Sequence, residues 1–271
     1  MNTSQGGEHL VSSEHRGSMR QETTPRNKDL QQMSLDQTVL SSRHELRLAW
    51  SLAAVAGVLN ATGFCVAGIF SGNMTGNVTS LADRIATGDP RSGLSLLVII
   101  MLFIMGATLS ALLLEFRGAG NRAHTCAIIF MTEAVSLVVL AVIDVKVHTA
   151  SSLVLVFGLS FLMGCQNAAA AVVSNFRVRT THFSGTSTDI GVKLGLIFAH
   201  ALQRNKLPDR VEHFHELKAK ALTMAAFCAG GVVGVTSYSV AGKMNLLISA
   251  LGIVFLSIPP LVVSRSQQVS A

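Results

Sequence analysis

The sequence contains few charged residues and few aromatic ones. Of its 271 residues 13% are charged, one is Trp and one is Tyr, whereas 49% are hydrophobic. Such a low charge content excludes an ordinary soluble domain, because soluble domains carry charge at about a quarter of their positions. The composition is typical of a membrane protein. With so few Trp and Tyr residues, no aromatic belt marks the membrane interfaces.

Motifs for metal or redox chemistry are missing as well. The four cysteines, Cys65, Cys126, Cys165 and Cys228, each stand alone in a different apolar segment. Neither a CxxC pair nor a Cys/His spacing typical of zinc sites occurs. We therefore interpret the cysteines as small buried apolar residues, and we expect neither a metal nor a cofactor.

The net charge of +6 does not indicate a nucleic-acid-binding protein. The basic residues lie between apolar runs, where they set the orientation of membrane helices. Residues 1–43 are rich in Ser, Gln, Glu and Thr and contain no apolar segment. We therefore predict a disordered N-terminal tail there rather than a secretory signal.

What the sequence does contain is long apolar runs. Each approaches the roughly 20 residues that an α-helix needs to cross a hydrocarbon core. We predict an all-α integral membrane protein with six transmembrane helices in a domain of residues 44–263, followed by a C-terminal tail, 264–271. The six runs are 48–70, 93–114, 125–145, 152–173, 221–240 and 246–263.

Lys and Arg are unevenly distributed over the segments that connect these runs. With the N-terminus inside, the inner segments near the membrane carry thirteen Lys or Arg residues. The outer segments carry four, namely Arg84, Arg91, Lys146 and Lys243. Because positive residues concentrate on the cytoplasmic side, we predict a multi-pass protein with both termini in the cytoplasm.

A small polar phrase occurs twice, each time after an apolar run. It reads FSGNMTGN at Phe70–Asn77 and FSGTSTD at Phe183–Asp189. Upstream, GVLNA at 57–61 matches GCQNA at 164–168. Gly permits unusual backbone conformations, and Ser, Thr and Asn are good N-cap residues. We therefore predict a helix break at each FSG phrase.

The two phrases divide the membrane domain into two similar halves. The first repeat covers 44–148 and the second 149–263, and each contains three predicted crossings. An odd number of crossings means that the second copy enters the membrane from the opposite side. The sequence thus predicts two inverted three-helix repeats, an arrangement that many secondary transporters use, with the binding site between the halves.

Three segments resemble the motifs of a known family. They are GIFSGNMTGNVTSLA, GCQNAAAA and RTTHFSGTSTDIGVKLG, and they resemble the YoaK-type family of uncharacterised six-helix membrane proteins. The resemblance covers residues 45–263. It implies a bacterial inner (plasma) membrane location and six helices, and it implies no activity, because the function of that family is unknown.

Polar residues in and before the phrases are the candidates for binding a solute. Amides and hydroxyls at that depth need partners, which a facing helix or a bound solute can supply. Close helix packing is the alternative, since Gly68, Gly72 and Gly76 form a ladder of small residues. The candidate substrate-binding residues are Asn60, Ser71, Asn73, Thr75, Asn77, Gln166, Asn167, Ser184, Thr186 and Thr188.

Two carboxylates are candidates for proton or ion coupling. Glu133 lies nine residues into the third predicted helix, about 12 Å deep at 1.5 Å per residue. A carboxylate there is costly and marks an ion or proton pathway unless it is a hydrogen-bonded structural group. Asp189, in the second phrase, is the other candidate.

The function that these features favour is transport of a small solute, with proton coupling as an additional hypothesis. A membrane scaffold or sensor that does not transport is the alternative. An intramembrane enzyme is disfavoured, because no Ser/His pair or HExxH motif lies in the crossings. The expected partners are membrane lipids, an unknown small solute and, as a further option, a second copy of the chain.

Overall fold

The structure is a computed structural model that describes Arg47 and residues 50–118, 122–146, 152–173, 179–202 and 207–255. Both predicted tails, 1–43 and 264–271, lie outside the described residues. Within the described ranges, the chain is helical and contains no strand. The helices are α1 (Trp50–Ala67), α2 (Met74–Ala86), α3 (Pro90–Phe116), α4 (Arg122–Lys146), α5 (Ser152–Val173), α6 (Phe183–Leu202), α7 (Leu207–Ala241) and α8 (Asn245–Phe255).

Five of these helices are long and apolar enough to cross a membrane. They contain the apolar spans Trp50–Ala67, Pro90–Phe116, His124–Ile143, Ser152–Val172 and His213–Ala241. The sixth predicted run corresponds to α8, a shorter apolar helix, and the end of that run lies outside the described residues. The helices indicate an all-α, multi-pass membrane protein, as predicted.

Buried apolar side chains of α1, α4, α5 and α8 form the core. Phe130 on α4, Leu159 on α5 and Leu246 on α8 are fully buried. In contrast, α3 and α7 expose many large apolar side chains, such as Ile104 and Val232. Exposed apolar surface of this extent fits lipid contact and is unusual for a protein in water.

A break separates α1 from α2, where the first phrase lies. The helix ends at Ala67, and Gly68 adopts φ +69°, a left-handed conformation that ends helices and favours glycine. Asn73 caps α2 by accepting a hydrogen bond from the Gly76 N–H (3.1 Å). The small-residue ladder therefore does not lie on one helix, because Gly68 and Gly72 are in the break.

The second phrase begins a helix instead of interrupting one. Phe183 is the first residue of α6, and the non-helical backbone precedes it at 179–182. This corrects the predicted position of the second break, which lies at 179–182, just before the FSG phrase. The hydroxyls of Ser184 and Thr186 favour a helix N-terminus, where capping groups and free N–H groups lie.

Two close helix crossings tie the bundle together. A Cβ on Gly57 of α1 would lie 2.1 Å from the Phe227 carbonyl oxygen of α7. A Cβ on Gly164 of α5 would lie 2.1 Å from the Phe103 carbonyl oxygen of α3. Only glycine permits backbones to approach so closely.

A salt bridge joins α6 to α7. Lys220 donates a hydrogen bond to Asp189 Oδ2. The pair therefore links the two helices through opposite charges.

We expect Asp189→Asn to lower the melting temperature slightly, since the two side chains of the pair are only partly buried. Lys220→Met added to Asp189→Asn should cost little more, because the partner charge is then already lost. Thermal unfolding of the purified protein in detergent compares the two single variants with the double variant. A loss in the double variant equal to the sum of the two single losses would contradict the pairing.

Candidate functional site: a cavity between two helix starts

A cavity of about 520 Å³ lies where the two phrases meet. Its size is within the range of small-molecule sites in proteins. The N-terminal ends of α2 and α6 both reach it, and residues of α1, α3, α5 and α7 complete its walls. The lining residues are Asn60, Phe70, Gly72, Asn73, Met74, Thr75, Phe103, Asn167, Arg179, Thr181, His182, Phe183, Ser184 and Phe227.

An asparagine of α1 holds the first break in place. Asn60 Oδ1 accepts a hydrogen bond from the Gly72 N–H at 2.8 Å. Nearby, Asn77 Nδ2 donates to the Phe70 carbonyl oxygen at 2.9 Å. These two amides satisfy backbone groups that the helix break would otherwise leave without partners.

An asparagine of α5 does the same for the second break. Asn167 Oδ1 accepts from the Thr180 N–H at 2.9 Å and from the Thr180 hydroxyl at 3.1 Å. At the start of α6, the ring of His182 lies over Gly185, since a Cβ there would be 2.3 Å from His182 Nε2. The side chain of Asn73 lies over Gly76 of α2 in the same way, with Nδ2 2.5 Å from such a Cβ.

The two breaks touch each other. A Cβ on Gly72 would lie 3.2 Å from Thr181 Cγ2 and 2.4 Å from Met163 Cε. The Ser71 hydroxyl donates to Met163 Sδ at 2.9 Å. Because Gly72 lies in the first break and Thr181 in the residues before α6, the cavity is bounded by both breaks.

Corresponding residues of the two halves make corresponding contacts. Gly57 and Asn60 on α1 are each 107 positions before Gly164 and Asn167 on α5. Both glycines pack against a backbone carbonyl of another helix, and both asparagines accept a backbone N–H from a break. In these contacts Asn73 and Gly76 correspond to His182 and Gly185. The structural register therefore matches NMTGN with HFSGT, and the two FSG triplets themselves are four residues out of register.

The structure brings five of the ten candidate solute-binding residues to the cavity. They are Asn60, Asn73, Thr75, Asn167 and Ser184. The other five do not line it. Ser71 and Asn77 are buried against the break, and Gln166 is buried in α5. Thr186 donates to the His182 carbonyl just before α6, and Thr188 donates to the Ser184 carbonyl within α6.

The sequence alone did not identify several lining residues. Arg179 and His182 precede the second phrase, and Phe103 and Phe227 lie on α3 and α7. A signal for the phenylalanines does exist, because Phe103-x-x-Gly106 recurs as Phe227-x-x-Gly230. Each glycine packs against a backbone carbonyl of the other half, so these motifs mark the helix crossings next to the cavity.

The two coupling candidates occupy different environments. Glu133 is 1% exposed, and within the described chain neither of its carboxyl oxygens has a hydrogen-bond partner. Its helix, α4, packs against α5 of the second half. Asp189 is exposed and paired with Lys220, and it does not line the cavity.

Comparison with known proteins identifies one family. No curated protein and no solved structure matches the chain. The family described as "Protein of unknown function (DUF1275)" matches residues 48–258, which is most of the chain and nearly the whole range over which the motifs resemble the YoaK-type family. The chain therefore belongs to this family of unknown function.

Proposed function

We propose that this protein is a secondary transporter for a small solute, built from two inverted repeats of three crossings each. In this proposal α1 and α2 form one discontinuous crossing, and α5 and α6 form another. The helices α3, α4, α7 and α8 provide the remaining four. Discontinuous helices that meet at a central site are typical of such transporters.

The cavity carries this proposal. It lies between elements of both halves, and the two helix breaks bound it. A scaffold has no need of a polar cavity at the point where two helices lose their regular hydrogen bonds, and broken helices at membrane depth are tolerated where they line such a cavity. The volume of about 520 Å³ suits a small metabolite.

The paired contacts support the repeat. Gly57 of the first half packs against the backbone of α7 in the second half. Gly164 of the second half packs against the backbone of α3 in the first half. Gly230 lies against Ala54, and Gly234 lies against Val58. The residue number therefore increases by four on both helices from one contact to the next, which means that α1 and α7 run parallel. Successive crossings alternate in direction, so the first and fifth of six crossings have to run parallel.

The mechanism that fits this arrangement is alternating access. One repeat rocks against the other at the glycine crossings, and the cavity opens to one side of the membrane at a time. In this proposal Glu133, buried beside the second repeat, carries a coupled proton. Asp189 instead holds α6 against α7 through Lys220.

Blocking the cavity tests the transport function. In proteoliposomes loaded with a metabolite extract, Thr75→Cys should release one or a few solutes, as wild type does. Modification of the new thiol with a charged methanethiosulfonate should reduce that flux at least tenfold, because Thr75 lines the cavity. Mass spectrometry of the released solutes measures it.

Thr79→Cys is the matched control. Thr79 is an exposed threonine one turn further along α2 and does not line the cavity, so its modification should leave the flux unchanged. Release no greater than from empty liposomes, or equal sensitivity of both variants to the reagent, would refute transport through this cavity.

A further inference from the structure

We propose that the solute is an anion, bound through a carboxylate, sulfate or phosphate group in the cavity between α2 and α6. This inference rests on the proposed function and adds the chemical class of the substrate. It follows from the polar groups that the cavity presents, which are hydrogen-bond donors with a net positive charge.

Asn60 gives the strongest indication. Its side chain is 8% exposed and lines the cavity. Its Oδ1 accepts the Gly72 N–H, which leaves the Nδ2 amide group without a partner in the described part of the chain. Because the residue is buried and lines the cavity, an acceptor for Nδ2 has to come from within the cavity.

Asn167 repeats this arrangement on the other side. Its Oδ1 accepts both the N–H and the hydroxyl of Thr180, so Nδ2 is again the free end. Both asparagines line the same cavity. Two amide N–H donors from opposite halves are therefore available to one ligand.

The starts of α2 and α6 add positive electrostatic potential. A helix N-terminus has free N–H groups and carries about half a positive charge. Neither helix has an acidic residue in its first turn to offset it. Met74 and Thr75 of α2, and Phe183 and Ser184 of α6, line the cavity, so both N-termini lie at its wall.

Arg179 supplies a full positive charge. It lines the cavity and makes no ion pair with any described residue. No Asp or Glu is among the described lining residues. Phe103 and Phe227 form apolar walls, and next to them the attraction between the buried donors and an anion is screened less than in water. A cationic solute would find no counter-charge there.

Binding measurements test the inference. Acetate, sulfate and inorganic phosphate are titrated into the purified protein at constant ionic strength, with acetamide and methylammonium as neutral and cationic probes. At least one anion should raise the melting temperature saturably. By calorimetry it should bind at least tenfold more tightly than acetamide, which has the shape of acetate without its charge.

Variants locate the site. Arg179→Ala should weaken anion binding at least tenfold, and its exposed position should leave the fold intact. Asn167→Asp keeps the Oδ1 acceptor for Thr180 and places a negative charge at the cavity, so it should abolish binding. Arg91→Ala removes an exposed arginine outside the cavity and should bind as wild type does.

The outcomes separate this inference from the proposed function. Anion binding without flux in proteoliposomes would uphold the anion site and refute transport. Flux of a neutral or cationic solute that modification of Thr75→Cys blocks would uphold transport and refute the anion. Binding no tighter than that of acetamide, or unchanged binding in both Arg179→Ala and Asn167→Asp, would also overturn the inference.

Discussion

Gly230→Ala is expected to destabilise the protein by about 1–3 kcal/mol or more, which is the cost of overpacking a close contact. A Cβ at this position would lie 1.9 Å from the Ala54 carbonyl oxygen. Backbone cannot move aside as the end of a flexible side chain can. Relief of the clash requires α1 and α7 to separate, which would also disturb the cavity beside Phe227.

The adjacent residue provides the control. A Cβ on Gly231 would meet its nearest atom, the Gly57 carbonyl oxygen, at 4.0 Å, which is an ordinary contact. Gly231→Ala should therefore leave stability unchanged or raise it, since alanine favours a helix more than glycine does. Unfolding in denaturant or by heat, in detergent, compares the two variants.

The same unfolding experiment, made with the equivalent glycine of the first half, tests whether the two halves are packed in the same way. A Cβ on Gly106 of α3 would lie 2.1 Å from the Phe161 carbonyl oxygen of α5, the counterpart of the Gly230–Ala54 contact. Gly106→Ala should lose stability by a similar amount. If Gly230→Ala is as stable as Gly231→Ala, the close crossing of α1 and α7 is wrong.

Glu133→Gln is expected to abolish proton-driven accumulation while leaving the passive flux of solute. In wild type, a gradient of one pH unit should concentrate the solute about tenfold for each coupled proton, because 1.4 kcal/mol corresponds to a factor of ten. Glutamine has nearly the shape of glutamate and cannot carry the proton. Uptake into proteoliposomes with and without an imposed gradient measures the ratio.

The variant should fold at least as well as wild type. Glu133 is buried with neither carboxyl oxygen hydrogen-bonded in the described chain, and an unpaired buried carboxylate costs stability. Glu115→Gln, which removes an exposed carboxylate at the end of α3, should keep the gradient response. A gradient response in Glu133→Gln equal to that of wild type would exclude this residue as the proton carrier.

Much of the fold could be predicted from the sequence, because membrane helices leave a strong signal. Apolar runs of about 20 residues reflect the thickness of the hydrocarbon core, and the five long apolar helices all coincide with predicted runs. The break after α1 was also predicted, since Gly68, Asn73 and their neighbours are typical of helix ends.

The register of the second phrase could not be predicted in the same way. Identical FSG triplets suggested that Ser71 corresponds to Ser184, whereas the contacts match Asn73 with His182. Asparagine and histidine look unrelated in sequence, yet each lies over the glycine three residues later at a helix start. Three-dimensional position, not residue identity, defines this correspondence.

Composition and local pattern were sufficient to assign the class of molecule, an all-helical, multi-pass membrane protein with two polar phrases at helix ends. These properties depend on composition and short-range pattern, which each segment carries alone. Which polar groups meet became clear from the packing of the helices. Arg179 and Asn60 are far apart in the chain, and they line one cavity because glycine crossings bring α1 to α7 and α5 to α3. Such long-range contacts depend on how the surfaces of two helices fit together. The sequence of one segment alone does not reveal which other segment it fits.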